Sequence, residues 1–71
     1  MLTFIAPDSG TYEITVDTTE PIEACLFVNY TIPFVLKAKT IMLALIEGDI
    51  VSGFEGPFAN EMRIISANKL D

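Results

Sequence analysis

Turn-forming residues interrupt this chain about every eight to twelve positions, a spacing that leaves room for short strands and little else. The first interruption is Pro7-Asp8-Ser9-Gly10. Proline presets φ, Asp and Ser bond their own backbone, and Gly is free to take positive φ. Leu2–Ala6, ahead of it, reads as a first strand. Behind it, Thr11–Asp17 sets Tyr12, Ile14 and Val16 on one face and Thr11, Glu13, Thr15 and Asp17 on the other. Strict alternation of this kind predicts a half-buried strand with one wet face.

After a polar turn at Thr18–Pro21, Glu23–Asn29 is apolar at both parities, so both of its faces should be covered. Tyr30–Lys39 is ambiguous, and Pro33, having no N–H, confines any strand there to an edge or a bulge. Thr40–Ile46 is again apolar on both faces. Its Leu, Met and Ala content also suits a short helix, but its length between turn signals favours a strand. Glu47-Gly48-Asp49 predicts a tight hairpin turn into a strand at Ile50–Phe54. Gly53, Gly56 and Pro57 then break the chain. Glu61–Ser66 forms the last strand, with Met62 and Ile64 on one face and Arg63 and Ile65 on the other, and Ala67–Asp71 is a polar tail. The expected fold is all-β: a small antiparallel β-sandwich of about six to eight short strands. Residues 1–71 make one domain.

Composition adds a demand for partners. A domain of 71 residues, 51% of them hydrophobic, has too thin a shell to hide its apolar side chains alone. Small scaffolds meet this with disulfides, a metal or other subunits. Cys25 is the only cysteine and there is no histidine, so neither an internal disulfide nor a thiolate–imidazole zinc site can be built. Other subunits remain, and a homo-oligomer is expected. The net charge of −6 argues against nucleic acid, whose phosphates call for Lys and Arg, and against an anionic membrane surface. The bland reading of the charge is solubility for an apolar β-protein. No apolar run approaches the length of a membrane-spanning helix, and Met1-Leu2-Thr3 lacks the basic start of a secretory leader.

The order of short motifs resembles a known family. Phe4-Ile5-Ala6-Pro7-Asp8-Ser9-Gly10-Thr11-Tyr12 is similar to the run that opens the Gly-x-Tyr strand of the tumour-necrosis-factor-like jelly roll, in its complement C1q globular-head branch. Ala24-Cys25-Leu26-Phe27-Val28-Asn29 resembles the following strand and turn, with Tyr30 standing where the family has Gly. Leu45-Ile46-Glu47-Gly48-Asp49-Ile50-Val51 resembles the family's Gly-Asp hairpin. Met62-Arg63-Ile64-Ile65 looks like the closing strand of bacterial members that cap collagen-like stalks on spores or occur in phage fibres. Family domains are longer, so this chain corresponds to a minimal version, a truncation, or one completed by a neighbour's strand. The resemblance implies a minimal jelly roll, a homotrimer, closed or stacked into a filament, and a place outside the cell or on a spore or virion surface. It also implies that Tyr12, Ile14, Ile50, Phe54, Met62 and Ile64 lie on the sheet facing the threefold axis, as core or as subunit interface.

Little in the chain suits catalysis, and no enzyme is expected. Cys25 sits between Ala24 and Leu26 in an apolar strand and reads as a buried, inert small hydrophobe. Asp49 beside the turn glycine is expected to bond the turn backbone. The alternative is calcium, for which Glu47, Asp49 and Glu55 offer hard oxygen ligands, although no ligand-rich loop is recognisable. Glu20 and Glu23 bracket a proline turn and read as solvated. Tyr30, Phe34 and Phe58 are loop aromatics that either touch a ligand or neighbour or cap the sandwich. Three functions compete: a self-assembling structural subunit, a receptor- or glycan-binding adhesion module, and a small acidic inhibitor. The last needs carboxylates arrayed on one face, and only Glu13 and Asp17 clearly share one.

Overall fold

The computed structural model describes residues 1–56 and 60–70. These form strands β1 (Thr3–Ile5), β2 (Gly10–Asp17), β3 (Ala24–Val28), β4 (Ile32–Val35), β5 (Thr40–Leu45), β6 (Ile50–Glu55) and β7 (Asn60–Lys69). The only helical piece among them is a 3-10 turn at Pro21–Glu23, so no described helix is long and apolar enough to cross a membrane. All pairings are antiparallel, in the order β4-β3-β6-β7-β2-β5. β1 lies against the first half of β6 and β7 against the second.

The sheet is strongly curled into a half-barrel, and the core lies in its hollow. Alternation in β2 works as expected: Tyr12, Ile14 and Val16 are buried while Asp17 is exposed. Leu26, Leu43, Leu45, Val51, Met62 and Ile64 meet them from the other strands. Tyr12 also ties down the first turn, donating its hydroxyl to the Asp8 carbonyl at 2.8 Å, and its ring packs on Phe4 at 5.4 Å between centroids.

Two separate layers were expected, but the strands form one continuous sheet. The reason is β7, whose first residues pair with β6 and whose later residues pair with β2. An extra residue, Ile65, interrupts the β2–β7 register between Thr15 and Val16, and a bulge of this kind bends and twists the strand that carries it. Beyond the bulge Ser66 pairs with Thr15, and the supposed polar tail continues as strand: Ala67, Asn68 and Lys69 pair with Ile14, Glu13 and Tyr12. Polar Ser66 and Asn68 suit this place because they stand opposite the wet face of β2.

The expected hairpin at Glu47-Gly48-Asp49 is also corrected. The turn is tight, with Gly48 at φ +90° and the Asp49 N–H donating to the Ile46 carbonyl at 3.0 Å. Yet β5 pairs with β2, and β6 with β1, β3 and β7, so the chain here crosses from one arm of the curl to the other. Turn chemistry specifies a reversal, not a partner. The inward side chains on either side of this turn, Leu43 and Leu45 on β5 and Val51 on β6, all face the core. A hairpin does join β3 to β4, through the three residues Asn29-Tyr30-Thr31: the Thr31 N–H donates to the Val28 carbonyl at 3.2 Å, and Asn29 and Tyr30 both have positive φ, at 53° and 61°, as the central pair of a type I′ turn requires. Gly53 does not break the chain but sits within β6, where a Cβ would lie 2.9 Å from Met62 Cε and 3.1 Å from the Met62 carbonyl oxygen.

Candidate apolar interface

Residues that face each other across an antiparallel ladder share a face, so the registers define the outer side of the β1–β6–β3–β4 arm. It carries Thr3 and Ile5 from β1, Ile50, Ser52 and Phe54 from β6, Cys25 and Phe27 from β3, and Pro33 and Val35 from β4. No charged residue stands among these nine positions; the face meets charge on β7, where Glu61 stands opposite Phe54 and Arg63 follows two residues on. Phe27 and Phe54 meet edge to face at 5.6 Å, while Ile5 and Val35 are 61% and 68% exposed. Beneath them Ser52 is buried, and its Oγ has no hydrogen-bond partner. Absence of charge from an otherwise accessible apolar surface is the composition of an interface centre.

The six candidates from sequence therefore divide. Tyr12, Ile14, Met62 and Ile64 are core side chains, each no more than 1% exposed. Ile50 and Phe54 are half-buried on the outer face of β6, in the arm across the core from β2. Alternation could not separate these sets, because core and outer apolar face obey the same period. Cys25 is half-exposed on the outer face and not buried as expected; its thiol reaches only the Leu26 carbonyl, at 3.5 Å. Phe27, Val35 and Ile5 were not singled out from sequence, although the doubly apolar pattern of Glu23–Asn29 held the signal for Phe27.

Of the three aromatics expected in loops, Tyr30 is exposed at the tip of the β3–β4 turn, whereas Phe34 lies within β4, opposite Leu26, and packs against the core. Phe58 lies outside the described residues. The calcium set is not assembled: Glu47 and Asp49 precede β6, and Glu55 ends it. Asp49 instead accepts from the Ile46 N–H at 2.9 Å and from Asn29 Nδ2 at 3.1 Å, and Asn29 Oδ1 accepts from the Ile50 N–H at 3.0 Å. This clasp holds the β3–β4 turn to the crossing before β6.

Glu55 belongs to a second region, an open cleft of about 200 Å³ lined by Thr19, Glu20, Glu23, Glu55, Gly56 and Asn60. The buried Thr18 hydroxyl donates to its carboxylate. Glu23 is held above the ordinary carboxylate value, chiefly by the charge of Glu20 and a hydrogen bond with it, with partial desolvation and Glu55 adding to the same direction. These acids repel one another, and no group of three or more acids or thiols among the described residues is placed to hold a metal ion. In comparisons with known proteins, no family model, curated protein or solved structure matches the chain.

Proposed function

We propose that this chain is a non-enzymatic, self-assembling structural subunit: a minimal jelly roll that forms a trimer in an extracellular or particle-surface fibre or head. The observation that carries the reading is the uncharged outer face of β1–β6–β3–β4, on which Phe27 and Phe54 meet edge to face over a buried, unpartnered Ser52 hydroxyl. A face of this kind exposed on a monomer invites association, and a closed ring covers it on every copy. The jelly-roll reading is supported by the path of the chain, which passes from arm to arm of the curl at each of the connections β1–β2, β2–β3, β4–β5 and β5–β6. The trimer and the surface location rest on the motif resemblance.

Light scattering across a hundredfold dilution tests the self-assembly. The expected result is a mass of three chains or a multiple of three at high concentration, with the thermal midpoint rising as protein is added. A folded monomer with a concentration-independent midpoint refutes the reading. The adhesion reading has one observation in its favour. Tyr30, a bulky residue held in the left-handed region, projects from a turn tip, and such strain gathers where side chains make contacts.

A further inference from the structure

We infer that the free edge of β5 is a second interface, on which another copy of this chain pairs antiparallel about a twofold axis. The Val16 N–H donates to the Lys39 carbonyl at 2.8 Å, and from there the register alternates. Ile41, Leu43 and Leu45 direct their backbone groups to β2, whereas those of Thr40, Met42 and Ala44 point away from the sheet. β5 is the last strand of the sheet on that side. An open edge is a template for another strand, and natural sheets blunt it with proline, charge, a bulge or brevity.

The opposite edge is blunted. On β4 the Leu36 N–H donates to Ala24, so Phe34 and Ile32 face β3, and Pro33 stands on the open side without an N–H to offer. β1 is only three residues long. β5 has none of these protections: Thr40-Ile41-Met42-Leu43-Ala44-Leu45-Ile46 contains no charge, no Pro and no Gly. Met42 and Ile46 are exposed, at 64% and 65%.

Charge selects the partner and its direction. Lys37 and Lys39 lie just before β5 and Glu47 just after it, all three exposed. A parallel neighbour would set like charges side by side. An antiparallel copy sets each basic end against the other's acidic end, with Glu47 opposite Lys37 when the axis passes at Met42 and opposite Lys39 when it passes at Leu43. Both registers join the outward backbone groups of Met42 and Ala44 in one ladder. The two outer strips of Met42 and Ala44 then lie together across the axis.

The inference rests on the self-assembly reading, and the test separates the two. Ala44→Pro removes an N–H that the fold does not use and blocks the edge. Glu47→Lys puts like charges together in a self-pair in either register, and Lys39→Glu does so in the register centred on Leu43, which the charge variants test; there a mixture of the two variants restores both opposite-charge contacts. By light scattering, the native chain is expected to have at least about twice the mass of Ala44→Pro. Each charge variant alone should match Ala44→Pro, and their equimolar mixture should regain the native mass. Unchanged mass in Ala44→Pro, with Phe54→Asp still dissociating the protein, overturns the β5 interface and leaves self-assembly standing. A native monomer at every concentration overturns both.

Discussion

At the scale of single residues, positive φ decides more than side-chain contact does. Gly48, at φ +90°, has nothing within 4 Å of where a Cβ would stand, so any penalty of substitution there comes from the backbone alone. Tyr30 is the reverse case, a side chain kept at φ 61° in a turn whose usual second residue is Gly. The two sites should respond with opposite signs. Gly48→Val is expected to destabilise by more than about 1 kcal/mol, because a β-branched residue is strained in that region. Tyr30→Gly is expected to stabilise by about 1 kcal/mol, since the left-handed region costs an ordinary L-residue roughly that much. Urea unfolding of both variants checks this at the same protein concentration. Loss of stability in Tyr30→Gly would mean that the exposed ring makes contacts outweighing its backbone strain.

Elements were legible where local pattern carries the information. The wet and dry faces of β2, the positive φ of Gly48 and the edge position of Pro33 all follow from residue type and period. Partner choice does not: the same Glu-Gly-Asp turn serves a hairpin or a crossing between arms, and only the distant strands β2 and β3 decide between them. The clasp between Asn29 and Asp49 was likewise hidden, because it joins residues 20 positions apart. It yields a prediction at this scale. Asp49→Ala removes acceptors for the Ile46 N–H and the Asn29 amide and should cost about 1–2 kcal/mol. Glu47→Ala, whose exposed side chain has no such role, should be near neutral. Chemical denaturation distinguishes the pair. Equal, small effects would show that the clasp does not hold the two turns together.

For the whole molecule, the question is where an apolar surplus goes, and the curl of the sheet answers it unevenly. Inward side chains of β2, β5 and β7 fill the hollow, whereas the doubly apolar β3 can bury only its Ala24, Leu26 and Val28 side. Its other side joins Ile50 and Phe54 on a surface that no described strand covers. Composition raised the expectation of such a surface but not its place, since Met62 and Phe54 look alike in a one-dimensional pattern. They now part experimentally. Met62→Asp places a carboxylate at a site 1% exposed, in contact range of Gly53, and should abolish folding, because a buried charge without a partner is among the costliest changes a core can take. Phe54→Asp places the same group on the half-buried outer face, where the monomer can hydrate it but a dry subunit contact cannot. Circular dichroism at high concentration should therefore show β-structure for Phe54→Asp and none for Met62→Asp, and sedimentation should find the Phe54 variant at reduced mass. A Phe54→Asp protein that keeps the native mass would move the subunit contact off this face, whatever its stability.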